Sequence, residues 1–177
     1  MVVQKESSLT PERPDFYIRR AIKGTPHVFQ VYITPTQAWF IRVGGTATTE
    51  MIVASQGGLI GGLIAWYMQS RRKKKEAVKI SENTAKTLEK MLAEHAANHV
   101  IPLTNFGDPS LEAGGWQYKK GTVIWKFDQP GEKKRVQCFF HKQEDVEAGV
   151  KRLPKLFPGI RIGVEFNAAK GKYLKKG

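Results

Sequence analysis

From Met51 to Ser70 the chain runs for twenty residues without a charge, then meets five consecutive basic residues, Arg71, Arg72, Lys73, Lys74 and Lys75. No other feature constrains the fold as strongly, because strand-like patterning lies on both sides of it. Twenty predominantly apolar residues are about the length of a membrane span. The run also holds Ser55, Gln56, Gln69 and four glycines, and its dense apolar part, Leu59 to Met68, is only ten residues long. A span would separate the strands before it from those after it and leave a lone hairpin, which is marginally stable at best. A single sheet therefore disfavours a full crossing and leaves two other readings. Gly57/Gly61 and Gly58/Gly62 form overlapping small-xxx-small pairs, which on a helix give a flat groove for close backbone approach, against a sheet or a second copy. Alternatively, Leu59, Ile60, Leu63, Ile64, Trp66 and Tyr67 insert in the plane of a membrane interface, with Arg71 to Lys75 on anionic headgroups.

The flanking patterns are legible. HVFQVYIT, residues 27–34, places Phe29, Val31 and Ile33 on one face and Gln30, Tyr32 and Thr34 on the other, the period of a half-buried strand. A short PTQ turn leads to AWFIRVGG, and the two form a hairpin. Residues 76–99 show helical spacing, with Ser81 or Asn83 as a start signal and Ala85, Leu88, Leu92, His95 and His99 in one stripe. FGDPS, 106–110, reads as a turn and LEAGGWQY as a strand bent at its glycines. TVIWKFD and RVQCFFH alternate around a QPGEKK loop, with Val123, Trp125, Phe127, Val136, Cys138 and Phe140 on the core side. QEDVEAGVKRLPKLF switches to helical spacing through Val146, Val150, Leu153 and Phe157, acids first and bases last, with Pro154 either in the final turn or ending the helix. GIRIGVEFNA reads as one last strand. Segregated strands and helices joined by hairpin loops predict an α+β fold with an antiparallel sheet. The expected organisation is a polar arm over 1–20, a domain over 21–168 with a helical insertion at 51–99, and a basic tail over 169–177.

Two of these segments resemble bacterial pleckstrin-homology-like domains. GWQYKKGTVIWKFDQPGEKKRVQCFFHKQEDVEAGVKRL is similar to their closing strands and amphipathic helix, and VYITPTQAWFIRVGG to their opening hairpin. The resemblance implies a curved antiparallel sheet plugged by the C-terminal helix. It carries no phosphoinositide site across, since the first hairpin loop here is the uncharged Pro35, Thr36 and Gln37.

The net charge is +13, from 29 basic and 16 acidic residues, and it is uneven. Residues 71–90 carry eight bases against three acids and 119–177 fifteen against six, whereas 91–118 carry no base. Such a balance points to an anionic membrane surface or to nucleic acid. For nucleic acid, Trp116, Tyr118, Trp125 and Phe139 interleave with Lys119, Lys120, Lys126, Lys133, Lys134 and Arg135, as in stacking platforms beside cations. Trp125, in phase with Val123 and Phe127, fits a core equally well.

Catalytic chemistry is not nominated. The glycines lack the Gly-Lys-Ser/Thr ending of a phosphate loop and the spacing of a dinucleotide fingerprint. His95 and His99 are i and i+4 on the expected helix, but Ala96 stands where a zincin has its glutamate, and no metal or other cofactor is expected. The single cysteine, Cys138, excludes an intrachain disulfide and, with an opening MVVQKESSLTPERPDF that lacks a cleavable signal pattern, points to a reducing, cytoplasmic setting. The expected function is a non-enzymatic interaction module at an anionic membrane surface on its inner face. The alternatives are a nucleic-acid module using Lys119, Lys120, Lys133, Lys134 and Arg135, and a protein that oligomerises through Gly57, Gly58, Gly61 and Gly62.

Overall fold

A computed structural model describes residues 13–45, 71, 73–83, 86–116, 118 and 121–177. The first strand, β1 (Phe16–Ile22), takes up the end of the stretch expected to be a polar arm, 1–20, and runs on into the domain expected from 21. Its two arginines mask an alternating pattern. Phe16, Ile18 and Arg20 are buried, while Arg19 and Ala21 are exposed on the opposite face. A two-residue turn follows, Lys23 at φ 49° and Gly24 at φ 79°. Positive φ at both central positions belongs to the tight hairpin turn that suits strand twist. The chain returns as β2 (Thr25–Ile33), with Ile22 opposite Thr25 and Phe16 opposite Val31.

β2 and β3 (Gln37–Gly45) form the hairpin read from the sequence, Ile33 facing Ala38. Beyond it, residues 73–83 are helical and form α1, and α2 (Leu88–Ala93) follows with Thr87 accepting from the Lys90 N–H as its cap. The helix expected through 99 therefore stops at Ala93, and the cap is neither Ser81 nor Asn83. His99 instead opens a strand, β4 (His99–Pro102), which pairs with β3. The expected turn at 106–110 is also different: β5 (Gly107–Ala113) runs through it, with a register irregularity between Gly107 and Ser110. β6 (Val123–Asp128), β7 (Val136–Phe140) and α3 (Gln143–Leu156) match the sequence reading, Pro154 falling in the last turn of the helix. The single strand expected over 159–168 divides at Gly163, whose N–H bonds to the Leu111 carbonyl at 2.8 Å. β8 (Arg161–Ile162) adds in parallel to β5, while β9 (Val164–Asn167) pairs with β10 (Lys172–Lys175). The tail is thus partly a strand.

The main sheet has the order β4-β3-β2-β1-β7-β6-β5-β8 and is antiparallel except at β8. It is curled. β3 and β6 stand four strand spacings apart, about 19 Å on a flat sheet, yet the rings of Phe40 and Trp125 stack with centroids 6.3 Å apart. Phe106 lies parallel to Trp125 at 5.3 Å and Phe16 meets it edge-on at 6.0 Å. α3 closes the concave side with Val146, Leu153 and Phe157. A second, smaller apolar cluster lies on the convex face, where Leu88 and Met91 of α2 cover Tyr32 and Ile41. The chain is an α+β protein on a curved, mostly antiparallel sheet.

Gly149 is where α3 meets β7. A Cβ there would fall 2.3 Å from two ring carbons of Phe140, and that ring is itself held edge-on against Phe16 at 5.3 Å. Gly-to-Ala inside a helix ordinarily stabilises by about 0.5–1 kcal/mol. Here overpacking, which costs about 1–3 kcal/mol, outweighs that gain, so Gly149→Ala is expected to lower the unfolding free energy in urea titration.

Candidate functional site

The convex face of the sheet carries the candidate site. Arg19 and Ala21 of β1 point outward there, beside Phe139 of β7, which sits opposite Arg19 in the ladder. α1 crosses the same region: Glu76 reaches both Gly44, where its Oε2 lies 3.2 Å from a Cβ position, and His141, 3.8 Å from its Nε2. Further along α1, Asn83 is buried and donates from Nδ2 to Gln30 Oε1 at 2.7 Å. The end of α1 is thereby fixed to the sheet, and Arg71, Lys73, Lys74 and Lys75 project from its beginning, all exposed.

Next to α1 a cleft of about 750 Å³ opens across β1, β6, β7 and the start of α3. Its cationic lining is Arg19, Arg20, Lys142 and Lys172, joined by His141. Its apolar lining includes Phe139, Val123, Val146 and Pro26. Among the described residues no carboxylate lines it. Two local devices shape its rim. The β5–β6 connection is drawn tight: Gly114 donates to the Thr122 carbonyl at 2.8 Å, Tyr118 to the Gly115 carbonyl at 2.9 Å, and the Tyr118 ring comes to 5.2 Å from that of Phe139. At Gly121, φ is +93°, and the Lys172 stem passes 3.1 Å from where a Cβ would stand. A side chain at 121 would strain the backbone and displace Lys172.

Histidines act here as neutral acceptors for arginine. Arg19 Nε donates to His141 Nδ1 at 3.0 Å, Arg42 Nε to His27 Nδ1 at 3.1 Å, and Arg20 Nη1 to His99 Nε2 at 2.9 Å. A guanidinium has only donors, so the His99 proton sits on Nδ1, which donates to the Ala97 carbonyl at 2.9 Å. Arg20 is 6 % exposed, with Gln129 Oε1 at 3.1 Å, Glu132 Oε1 at 3.6 Å and the Phe40 ring 5.9 Å beneath. Burial foremost, then Arg19 and Lys142, pushes His141 down to about 4; burial foremost, with Arg20 adding, pushes His99 down to about 4. Asp145 is buried and accepts from the Tyr17 N–H at 2.8 Å and the Lys142 N–H at 2.9 Å. Burial raises its pKa, against the pull of those two donors.

The expected site residues separate accordingly. Leu59, Ile60, Leu63, Ile64, Trp66, Tyr67, Arg72 and the glycines 57, 58, 61 and 62 lie outside the described residues, as do Lys119 and Lys120. Lys133 and Lys134 are exposed in the β6–β7 loop. Arg135 is not available there: Asp108 Oδ2 and Asp128 Oδ1 lie at 3.5 Å, Glu112 Oε1 at 3.9 Å, and the Asp108 carbonyl accepts from it. Trp125 is fully buried, whereas Trp116 is 97 % exposed. His95 and His99 do not share a helix, and His99 is engaged by Arg20. Cys138 is buried and its thiol is pushed up to about 12, so it is an inert core residue. Sequence reasoning missed Arg19, Lys142 and Lys172, because β1 was taken for arm and Lys172 for tail. Phe139 on the convex face was the available signal.

Comparison with protein-family models, with curated proteins and with solved structures found no match.

Both low-pKa histidines give stability a definite pH sign. The unfolded chain takes up protons near 6.5 that the folded chain refuses until about 4. Their contribution is complete above pH 6.5 and is lost as pH falls through that window. Urea unfolding from pH 7.5 to 4 is expected to show this fall, with a shallower slope in His141→Gln.

Proposed function

We propose that the chain is a non-enzymatic interaction module that docks on anionic membrane surfaces, at the inner face of the membrane, through the convex side of its sheet. The observation that carries this is the fixed exposure of Arg71, Lys73, Lys74 and Lys75 at the start of α1, next to the cations Arg19 and Lys142. Juxtamembrane basic residues contribute about 1 kcal/mol each on an anionic leaflet. Glu76 follows the cluster directly in the sequence, and burial raises its pKa. Among the described residues no helix is long and apolar enough to cross a membrane, and the apolar run that would insert beside the cluster lies outside them. The resemblance to pleckstrin-homology-like domains is supported by the curl of the sheet and by α3 packed into it, and stays a proposal.

Nucleic acid is the second reading, favoured by the exposed Trp116 beside Tyr118 and by exposed Lys133 and Lys134. It loses Arg135 to internal acids and Trp125 to the core. Oligomerisation through the glycine pairs stands as a third proposal.

Flotation of the full chain with liposomes separates these. Binding to anionic but not neutral lipid, weakened by salt and by Lys73→Gln/Lys74→Gln/Lys75→Gln, is expected. Binding to neither lipid, with single-stranded oligonucleotide retained in a gel-shift assay, would favour the second reading.

A further inference from the structure

The cleft beside α1 has a composition that an extended anionic surface does not require. A flat lipid leaflet needs charge on a convex patch. The cleft is concave, at about 750 Å³ within the range of small-molecule sites. Arg19, Lys142 and Lys172 supply its cations, and Phe139, Val146 and Pro26 supply apolar surface.

Among the described residues no acid lines the cleft, and Glu76 acts from outside it, feeling both Lys142 and Arg19. Asp145 accepts from two backbone N–H groups. Glu76 stands outside the cleft, behind His141. Arg19 is oriented by a neutral partner: with His141 Nδ1 accepting from Nε, and the His141 carbonyl 3.5 Å from Nη2, the guanidinium is aimed without being neutralised. An arginine held in place by a histidine keeps its full charge for a ligand, where a carboxylate partner would cancel it. Lys172 is likewise positioned by packing, its stem over Gly121. Arg20, nine-tenths buried, contributes a further cation to the lining and has only the exposed Glu132 as an ionic partner among the described residues.

We infer that this cleft is a binding site for a phosphomonoester carrying an apolar body. The doubly charged head meets Arg19, Lys142 and Lys172, and the body lies against Phe139 and Val146. A phosphomonoester fits better than a carboxylate because three cations line the cleft with no acid among its described lining residues, and arginine recognises phosphate oxygens through paired donors. The same chemistry occurs in a soluble metabolite and in a lipid headgroup.

Isothermal titration of the full chain with n-octyl phosphate, inorganic phosphate and n-octyl glucoside tests this. Octyl phosphate is expected to bind about tenfold or more tightly than either of the others, since head and body each contribute. Arg19→Gln/Lys172→Gln is expected to weaken it about tenfold or more, from the loss of charge-assisted hydrogen bonds. Lys172→Gln alone, on a strand outside the main sheet, gives part of that loss and controls for misfolding. Lys73→Gln/Lys74→Gln/Lys75→Gln is expected to leave octyl phosphate binding unchanged while weakening liposome flotation, so this site and the docking surface fail separately. Equal binding of octyl glucoside, or equal losses in the α1 and cleft variants, would overturn the proposal. Vesicles containing phosphatidic acid then assign the source. Flotation lost in the cleft variant means a lipid headgroup, and flotation retained with octyl phosphate binding lost means a soluble phosphomonoester.

Discussion

β1 is the strand on which the rest of the structure depends. It joins the ladder β4-β3-β2 to the ladder β7-β6-β5, and its alternation assigns each side of the sheet a task. Phe16 and Ile18 go to the aromatic interior, while Arg19 goes to the convex face. Its bond to β7 is short, with only Ile18 and Arg19 in register. The join is extended by side chain and backbone together: the His141 N–H donates to the Tyr17 carbonyl at 3.1 Å, and the Asp145 carboxylate takes the Tyr17 N–H. Because Asp145 also accepts from the Lys142 N–H, one carboxylate ties the central strand to the first turn of α3. A buried acceptor of this kind costs desolvation and returns it through two backbone donors that would otherwise lack partners. Two residues before Tyr17, Asp15 accepts from the Ile33 N–H at 2.7 Å and lies 3.1 Å from Arg152 Nε of α3. The helix is thus pinned to β1 at two points, and the curl that brings Phe40 against Trp125 is held shut by it.

Arginine–histidine pairing is the second recurring device. Four histidines in a chain of net charge +13 would suggest added positive charge or metal ligation. Three of them instead serve as neutral acceptors for Arg19, Arg20 and Arg42. Desolvation keeps these rings uncharged at neutral pH, and the guanidinium groups stay oriented without losing charge. This lets a protein so rich in cations pack its arginines close to the sheet. It also leaves Arg19 charged on the convex face beside the cleft.

Much of this was legible in the sequence. The alternation in VIWKFD and VQCFF fixed which residues are interior, and the 3–4 spacing from Val146 to Phe157 described α3 and its closing role. The remaining features depend on contacts distant in sequence. In FYIRRAI two adjacent arginines hide the strand's alternation, because Arg20 is buried by pairing with His99 and Gln129, a partnership distant in sequence. HVIP is four residues long, too short for period-2 patterning to outweigh a neighbouring helical stripe. Gly163 divides a continuous apolar-alternating run because it approaches the Leu111 carbonyl closely, a tertiary contact with no local signature. Of the site, the basic run on α1 was evident at once. The cleft was not, since it assembles Arg19, the Phe139–Lys142 stretch and Lys172 from three separate segments.

The cleft bounded by β1, β6, β7 and the start of α3 as the binding site is the central claim. Hydrogen–deuterium exchange of the full chain, with and without n-octyl phosphate, tests it most directly. Slower exchange at residues 121–123, 141–143 and 172–175, with the β6–β7 loop at 129–135 unchanged, is predicted. Protection confined to 129–135 would contradict it and move the binding surface to the opposite end of β6 and β7.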